Sequence, residues 1–385
     1  MTESAEQGRT AATFAYVVPG RVELVGKHVD YAGGRSLTCA TNCAIHAWMR
    51  PSLDPVLHVH DVLRRSDVRV ALAPDARVDG PPWGAYVGAV ARRLARDFPQ
   101  ARRGATVEIR SDLPPSAGLS SSTALVVTLA MSLIDANELD ADSSWNDAVP
   151  TAIARAEYFA AMETGSAYGS FAGDEGVGVR GGAQDHVAIV CAEAGRLGQF
   201  RYLPPRLERF VDWPAGYVLA IGVSGVRAAK RGNARTSYNR LSDAMRNMAS
   251  AGPPQDPSPE LAARIAQFRE ETEVIVPGVG DALASGDFAR LGNLVDRSQE
   301  LAEQVLGNQV QETVFLAREA RAGGALAASA FGAGFGGAVW AMVPSADAEG
   351  FVSRWRQAYI SAFPARATRA RWLLTTPAAS ARRVR

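Results

Sequence analysis

Three consecutive serines, Ser120–Ser122, lie between a turn-forming segment and an apolar run, Thr123–Ala130, that is long enough for a buried helix. Pro114 and Gly118 supply the turn. The serines would stand at the N-cap and first turn, where backbone N–H groups lack partners and the helix dipole adds partial positive charge. A phosphate can approach such donors, and a serine hydroxyl can serve as a metal ligand. The alternative is that a serine merely caps a core helix.

Two other glycine-bearing segments imitate nucleotide-binding motifs without fulfilling them. Gly332–Gly337 has the spacing G-x-G-x-x-G, but the apolar run after it, Ala338–Val343, predicts a strand. A dinucleotide fingerprint needs a strand before the glycines and a helix after them. Gly20–Lys27 is one residue too long for a P-loop, and His28 stands where Ser or Thr should bind magnesium. The sequence therefore argues against both motifs.

Helices and strands alternate around these segments. The pattern predicts strands at 14–18, 37–48, 56–60, 68–73, 105–110, 184–191, 217–223, 326–330, 338–343 and 369–374. It predicts helices at 83–98, 123–130, 145–162, 234–249, 259–271, 287–305 and 310–321. Residues 165–182 contain seven glycines, which predicts a mobile loop. We place a domain boundary near residues 204–216, which gives domains at 1–210 and 211–385.

Composition excludes several classes of protein. The 385 residues are 47% hydrophobic and 21% charged with a formal net charge of +1, so nothing favours nucleic-acid or membrane partners. Three cysteines, Cys39, Cys43 and Cys191, form no CxxC pair, which argues against a disulfide scaffold or a zinc site. No signal peptide and no apolar run of membrane-spanning length is visible. We expect a cytoplasmic protein.

Taken together, the three glycine-bearing segments resemble the signatures of the GHMP kinases, and of galactokinases in particular. Pro19–Tyr31 resembles the first signature, Leu113–Ser122 the ATP phosphate loop, and Phe331–Gly337 the third signature. Their order and separation agree with the family from about residue 14 to the end. The resemblance implies a two-domain α/β (α+β) GHMP kinase fold, with an N-terminal domain like ribosomal protein S5 domain 2 and a ferredoxin-like C-terminal domain. The active site would lie in the cleft between them.

The resemblance also implies roles for individual residues. Asp185 would be the catalytic carboxylate, and Arg21 would keep it ionised and offset charge on the transferred phosphoryl group. Ser122 and Glu157 would bind Mg²⁺. The implied ATP-binding residues are Trp83, Pro115, Ser116, Ala117, Gly118, Leu119, Ser120, Ser121, Ser122 and Arg227. The implied sugar-binding residues are Arg21, Lys27, His28, Asp30, Gly182, Asp185, Tyr238 and Gly334.

Plainer interpretations of several residues stay open. Asp185 could be a solvated loop carboxylate, and Glu157 could lie on the wet face of a helix. Trp83 could be a staple at a helix start. His186 is interpreted as structural rather than as a second base.

The chain departs from the galactokinase pattern at Lys27, where the family has a glutamate that contacts the hydroxyl at sugar carbon 6. Glu23 replaces an asparagine, Ser116 replaces a glycine, and the glycine-rich loop is longer than usual. A lysine only donates hydrogen bonds, so Lys27 would favour a carboxylate or an altered carbon 6 if it met the sugar. The alternative is that Lys27 pairs with Glu23 or Asp30.

The implied function is an ATP- and Mg²⁺-dependent kinase that phosphorylates the anomeric hydroxyl of galactose or a close relative. One alternative is a kinase for a uronic acid or another sugar altered at carbon 6. Another is a non-catalytic sugar or ATP sensor, against which the four residues Asp185, Arg21, Ser122 and Glu157 argue. We expect a monomer with a small-molecule sugar substrate.

Overall fold

The computed structural model describes residues 14–115, 117–179, 181–226, 243–250, 252 and 255–385. Its first sheet has eight strands, in the order β12-β1-β2-β5-β3-β4, with β6 paired to β2 and β7 to β6. These strands are β1 Phe14–Val25, β2 Arg35–Ser52, β3 Val56–Asp61, β4 Ser66–Ala71, β5 Gly104–Ser111, β6 Arg196–Arg201, β7 Arg206–Asp212 and β12 Arg382–Arg383. Among the described strands of this sheet, β3 and β5 are the one parallel pair.

The first glycine-bearing segment begins in β1 and continues in the turn between β1 and β2, the two longest strands of this sheet. β2 changes partners along its length: Arg35–Thr38 pairs with β6, and Ile45–Ser52 pairs with β5. The pairing of β1 with β2 is irregular between Pro19 and Arg21 and again between Glu23 and Val25. Irregular pairing re-aims the side chains of a strand. The end of β1 is therefore the part of the sheet from which Arg21 and Glu23 reach distant partners.

Helices cover the first sheet. They are α1 Gly84–Asp97, α2 Ser121–Ala136, α3 Ser143–Ala148, α4 Ala152–Thr164 and α5 Gln184–Val190. α2 is buried along almost its whole length and packs on β1, β2 and β5. Its apolar run Thr123–Ala130 therefore lies in the core, as the sequence predicts.

The second sheet is antiparallel, with the order β11-β8-β10-β9. Its strands are β8 Tyr217–Val223, β9 Ala327–Ala330, β10 Ala338–Pro344 and β11 Arg371–Thr375. The helices of this half are α6 Pro259–Glu270, α7 Val276–Ser285, α8 Phe288–Leu301, α9 Gln311–Ala322 and α10 Ala348–Ala362, with π-helical turns at Glu271–Ile275 and Ala302–Leu306. In chain order this sheet reads 4-1-3-2, the ferredoxin-like arrangement that the resemblance implies.

Most predicted elements are confirmed, but two are wrong. Within the predicted strand at 184–191, Gln184–Val190 forms helix α5 instead, because the apolar residues that favour β-structure are buried here against α2 and α4. Residues 145–162 form two helices, α3 and α4. Pro150 cannot continue a helix, and Thr151 caps the second one by accepting a hydrogen bond from Ala154 N. The predicted helix at 234–249 lies partly outside the described residues, and residues 243–250 of it are helical.

The change from one sheet to the other occurs between Asp212 and Tyr217, because β7 completes the first sheet and β8 begins the second. The predicted boundary between residues 210 and 211 therefore falls inside β7. After β11 the chain returns to the first sheet, where β12 pairs with β1. Ala381 N donates to Ile189 O at the end of α5, so this tail also contacts the helix that carries Asp185. No helix within the described ranges is long and apolar enough to cross a membrane.

Candidate active site

The three glycine-bearing segments, more than 300 residues apart at their extremes, meet at the N-terminus of α2. Arg21 N donates to Leu119 O over 3.2 Å, and a Cβ atom on Gly20 would stand 2.6 Å from the same oxygen. A Cβ atom on Gly332 would stand 3.3 Å from Gly118 O. Glycine at position 20 therefore permits a backbone approach that a side chain would block.

Arg21 and Asp185 form an ion pair at this junction. Arg21 Nε lies 2.8 Å from Asp185 Oδ1, and Arg21 Nη1 donates to Gly118 O. Burial acts to lower the pKa of Arg21, but the charges of Asp185 and Glu23 outweigh it and raise that pKa. The Asp185 side chain keeps 24% of its surface exposed, whereas that of Arg21 keeps 5%. A fixed cation therefore holds a carboxylate that solvent or a substrate can reach.

Ser120 holds the second oxygen of the same carboxylate. Its Oγ donates to Asp185 Oδ2 over 2.5 Å. The residue occupies the N-cap position of α2, as predicted, but its side chain makes no capping hydrogen bond. Its backbone is left-handed, with φ 58° and ψ 42°, which costs a non-glycine residue roughly 1–2 kcal/mol. Simple helix capping therefore does not explain this serine.

Helix α5 carries Asp185 in its first turn and is fixed by two further contacts of Gln184. Gln184 N donates to Asp30 Oδ2 over 3.3 Å, and Gln184 Nε2 donates to Glu23 Oε2 over 2.5 Å. Burial and the nearby charge of Asp185 raise the pKa of Asp30. The N-terminus of α5 is thus tied to both ends of the first glycine-bearing segment.

The predicted sugar-binding residues His28, Asp30, Gly182 and Gly334 surround the short turn that follows β1. His28 Nδ1 lies 3.0 Å from Tyr31 Oη, and His28 Nε2 lies 3.1 Å from Ala333 O. A Cβ atom on Gly182 would stand 2.3 Å from Asp30 Oδ2. Asp30 and Gly182 therefore pack directly together next to α5, while His28 faces the third glycine-bearing segment.

Asn308 joins this group and was not found from the sequence. Its Nδ2 lies 3.1 Å from His28 Nε2, and a Cβ atom on Gly334 would stand 2.4 Å from Asn308 O. Gly334 has φ +80°, which favours glycine. Since Asn308 is 280 residues from His28 along the chain and stands in no motif, no sequence pattern pointed to it.

Lys27, in contrast, is turned away from Asp185 into a sealed polar cluster. Its Nζ donates to Ser298 Oγ over 2.8 Å, and Ser298 Oγ donates to Glu271 Oε1 over 2.8 Å. Glu271 Oε1 also accepts from Gly26 N over 2.7 Å. Burial lowers the pKa of Lys27, and the charges of Glu271 and Glu23 oppose that effect. Lys27 is 1% exposed, a placement that favours a buried pair over contact with a sugar. Its hydrogen bond, however, goes to Ser298 beside Glu271 and not to the expected Glu23 or Asp30, and its interaction with Glu23 is electrostatic.

Glu23 lies between the two clusters. It is 3% exposed, accepts from Gln184, and interacts electrostatically with Lys27 and Arg21. Burial raises the pKa of Glu23 to about 8, although Lys27, Arg21 and the Gln184 hydrogen bond lower it. Burial is therefore the largest influence on the pKa of Glu23, and the two nearby cations offset it only in part.

The implied metal ligands Ser122 and Glu157 are not brought together by any contact of the described residues. The interaction found for Glu157 is electrostatic, with Tyr168 of the glycine-rich loop. Glu163 of the same helix, in contrast, accepts from Thr123 Oγ1 over 3.0 Å at the start of α2. The two glutamates are six positions apart on the helix, which places them about 9 Å apart along its axis and about 120° apart around it. Glu157 and Glu163 therefore face different parts of the protein.

Glu163 is 5% exposed, and its Oε2 lies 3.1 Å from His186 Nε2. His186 directly follows Asp185 in the chain. A buried carboxylate and hydroxyls at a helix N-terminus, completed by phosphate oxygens, form the all-oxygen ligand set that suits Mg²⁺. The donor chemistry around Glu163 therefore fits the metal that the fold implies. Within the described ranges, no group of three or more His, Cys, Asp and Glu is arranged for a metal.

On the nucleotide side, the described residues of the phosphate loop, Pro115 and Ala117–Ser122, lead into α2. Trp83 precedes α1 and packs against the apolar core, and its Nε1 is buried with no hydrogen-bond partner among the described residues. Ser116, Arg227 and Tyr238 lie outside the described residues, so their predicted roles stay predictions.

The described residues of the glycine-rich loop, 165–179, 181 and 182, form no helix or strand, as predicted, and arginines of α1 contact the loop at several points. Arg93 Nη1 donates to Ser166 O over 2.8 Å, and Arg92 Nη2 donates to Gly176 O over 3.2 Å. Arg92 Nε also lies 3.5 Å from Asp174 Oδ2. These contacts hold the loop to α1 at several positions. The mobility of the loop stays a prediction.

Comparison with known families agrees with this architecture. Residues 85–193 match the GHMP kinases N terminal domain, and residues 281–361 match the GHMP kinases C terminal domain. The chain therefore carries both domains of the GHMP kinases. Residues 5–51 match the galactokinase galactose-binding signature, which contains Arg21, His28 and Asp30.

Within that family the chain is similar to galactokinases. It is 28% identical to the galactokinase of Chloroflexus aggregans, covering 87% of this chain and 85% of that protein. It is 28% identical to the galactokinase of Mycobacterium tuberculosis H37Rv, covering 91% and 94%. The fold matches Lactococcus lactis galactokinase complexed with galactose, with a TM-score of 0.79 at 19% identity over 96% and 94%. Mevalonate kinase of L. major matches with a TM-score of 0.61 at 18% identity over 96% and 97%.

Proposed function

We propose that this protein is an ATP-dependent sugar kinase that phosphorylates the anomeric hydroxyl of galactose or a closely related sugar. The observation that carries the proposal is the Arg21–Asp185 pair, which lies against the N-terminus of α2 with Asp185 partly exposed. A positioned base beside an anion-binding helix end is the minimum that phosphoryl transfer to a hydroxyl requires.

In the proposed reaction, Asp185 accepts the proton of the anomeric hydroxyl while the sugar oxygen bonds to the γ-phosphorus of ATP. The bond from that phosphorus to the bridging oxygen breaks, and ADP leaves with the electron pair. Arg21 keeps Asp185 ionised and offsets negative charge, and the free N–H groups of α2 receive phosphate oxygens. The described contacts lead us to propose Glu163, with Ser122, as the ligands of Mg²⁺, which would neutralise phosphate charge.

Galactose is the sugar that the site and the similarity to galactokinases support best. The case for a uronic acid depended on Lys27 meeting carbon 6, whereas Lys27 Nζ is bonded to Ser298 and is sealed from solvent. His28, Asp30 and Gly182 remain the proposed sugar-binding residues, because they surround the turn beside Asp185. The site does not support the sensor alternative, because the Arg21–Asp185 ion pair that the proposed reaction needs is present. A cytoplasmic location and a monomeric state stay predictions.

The test is ADP release from Mg²⁺-ATP across a panel of aldoses and uronic acids, followed by identification of the phosphorylated carbon by NMR. We expect galactose to give the highest kcat/KM and the product to be a sugar 1-phosphate. Binding of ATP and galactose without turnover of any sugar would instead establish the sensor. A uronic acid turned over faster than galactose would contradict the assigned substrate.

A further inference from the structure

Asp185 is held at both carboxylate oxygens by residues from two different segments. Arg21 Nε holds Oδ1 at 2.8 Å, and Ser120 Oγ holds Oδ2 at 2.5 Å. Two contacts of this kind fix the rotation of the carboxyl group as well as its position. The arginine contact supplies charge, but the contact with a neutral hydroxyl has no such role and calls for its own explanation.

The conformation of Ser120 adds a second observation. Gly118, two residues earlier, has a left-handed backbone with φ 78°, which costs glycine no steric strain because it has no Cβ atom. Ser120 has φ 58° and does carry a Cβ atom, so its left-handed backbone is strained. Strain of this kind is retained where the surrounding structure requires the side chain. The Ser120 hydroxyl does not cap α2. The interaction that the strained backbone makes possible is therefore the hydrogen bond to Asp185.

We propose that Ser120 is a positioning residue, which fixes the separation between the base Asp185 and the phosphate-binding end of α2. This inference rests on the proposed kinase function and adds a role to it. Ser120 immediately precedes the first residue of α2, so its backbone moves with the phosphate-binding N–H groups. Its side chain meets Asp185 on α5. One residue therefore ties the acceptor side of the reaction to the donor side.

Phosphoryl transfer depends mainly on alignment, so an error of about 1 Å in this separation can cost about 10²-fold in rate. In the transfer step, the sugar proton goes to Asp185 and the phosphoryl group goes to the sugar oxygen. The Ser120 hydroxyl keeps its own proton throughout. Its removal should therefore lower kcat through the geometry of Asp185 and leave nucleotide binding nearly unchanged.

The experiment is a double-mutant cycle of Ser120→Gly and Asp185→Asn, with Ser120→Ala as a second variant. Glycine removes the hydroxyl and relieves the left-handed backbone, whereas alanine removes the hydroxyl and keeps the strain. Glu138→Gly is the matched control, since Glu138 is exposed, also left-handed with φ 53°, and lies at the far end of α2. For each protein we would measure kcat, the KM for sugar, the Kd for Mg²⁺-ADP and the melting temperature.

We expect Ser120→Gly to lower kcat about 10- to 100-fold, with the Kd for Mg²⁺-ADP within about three-fold of the wild type. Ser120→Ala should lose kcat similarly and melt below Ser120→Gly. In the Asp185→Asn background, Ser120→Gly should lower kcat further by less than about three-fold, because the residue acts through Asp185. Glu138→Gly should keep wild-type kcat.

Three results would overturn the inference. One is a Ser120→Gly enzyme with wild-type kcat. The second is an equal loss of kcat in both backgrounds, which would make Ser120 independent of Asp185. The third is weaker binding of Mg²⁺-ADP with unchanged kcat, which would make it a nucleotide ligand only. Failure of the proposed function is a separate result, because the wild-type protein itself would then turn over no sugar.

Discussion

Two clusters of charged and polar residues include neighbouring parts of one segment, with Arg21 on β1 and Lys27 just after it, yet their surroundings differ sharply. In the Asp185 cluster, formed by Arg21, Asp185 and Ser120, the Asp185 side chain keeps 24% of its surface exposed. In the Lys27 cluster, formed by Lys27, Ser298 and Glu271, each residue is at most 1% exposed. The first can receive a substrate, whereas the second has no surface on which a sugar could bind.

The comparison teaches that charge next to a glycine-bearing motif does not by itself identify a binding residue. Both Arg21 and Lys27 are buried cations of the same segment, and both interact with Glu23. What separates them is the partner: Arg21 holds a carboxylate that is open to the site, and Lys27 joins β1 to α8 and the π-helical turn after α6. We therefore expect substitutions in the first cluster to change turnover and those in the second to change stability.

The largest effect should come from Asp185→Asn. The substitution keeps the size of the side chain but removes the negative charge that accepts the proton, so kcat should fall roughly 10³- to 10⁴-fold. The Kd for Mg²⁺-ADP should stay within about three-fold, because the charge acts in the transition state. Titration calorimetry and ADP release measure the two quantities. Turnover close to wild type would remove Asp185 from the base role.

Lys27→Met should come next, with its effect on the free energy of unfolding rather than on specificity. Removing one member of a buried charged pair leaves Glu271 without compensation, which costs roughly 3–5 kcal/mol. Denaturant unfolding measures that loss. The ratio of kcat/KM for galactose to that for galacturonate, measured at low temperature on folded enzyme, should change by less than about three-fold.

A matched double variant sharpens this test. Lys27→Met combined with Glu271→Gln neutralises both groups and should recover part of the lost stability, since no uncompensated charge then remains. If Lys27→Met were instead as stable as wild type and shifted the galactose to galacturonate ratio ten-fold or more, Lys27 would contact the sugar and the interpretation of a sealed cluster would fail.

The difference between the clusters shows what the sequence could predict. The order and spacing of the three glycine-bearing segments predict the fold, because a backbone that approaches another closely requires glycine wherever the approach occurs. For Lys27, in contrast, the position within a motif predicts contact with the sugar, whereas the orientation of its side chain depends on Glu271 and Ser298, which are 244 and 271 residues away. Neither stands in a motif, so no local pattern could reveal the cluster.

Helix α5 shows a second limit of local patterns. Its sequence, Gln184–Val190, is rich in β-branched residues and predicts a strand, but packing against α2 and α4 and two contacts of Gln184 select a helix. The helix places Asp185 in its first turn and His186 beside Glu163. The proposed base could therefore be predicted from the motif, whereas the helix that positions it could not.

Glu23, between the clusters, predicts a pH dependence of stability. Burial raises the pKa of Glu23 in the folded protein to about 8, above its value of 4.5 in an unconstrained chain. The folded state then binds more protons than the unfolded state between these two values, so stability should fall as pH rises through this window. The expected loss from this one group is about 2 kcal/mol between pH 6 and pH 8.

Glu23→Gln tests this directly, because glutamine keeps an oxygen that can accept from Gln184 Nε2 and does not titrate. Denaturant unfolding at pH 6 and pH 8 should show a smaller decrease for Glu23→Gln than for wild type. The exposed Glu349 of α10 provides the control, and Glu349→Gln should keep the wild-type decrease. A pH slope unaffected by Glu23→Gln would mean that Glu23 is ionised in the folded protein.

The smallest effect concerns the metal and separates the two glutamates of α4. Glu163 contacts Thr123 at the start of α2, whereas Glu157 lies near Tyr168. Mg²⁺ bound to a nucleotide is held largely by phosphate oxygens, so the loss of one carboxylate ligand should raise the half-saturating Mg²⁺ concentration only about ten-fold. We expect that increase for Glu163→Gln and less than about two-fold for Glu157→Gln. Binding of Mn²⁺ in the presence of ADP, followed by electron paramagnetic resonance, reports the same difference without turnover. If Glu157→Gln weakened metal binding and Glu163→Gln did not, the ligand would be the residue that the family resemblance implied, and α4 would have to present its other face to the phosphate loop when nucleotide binds.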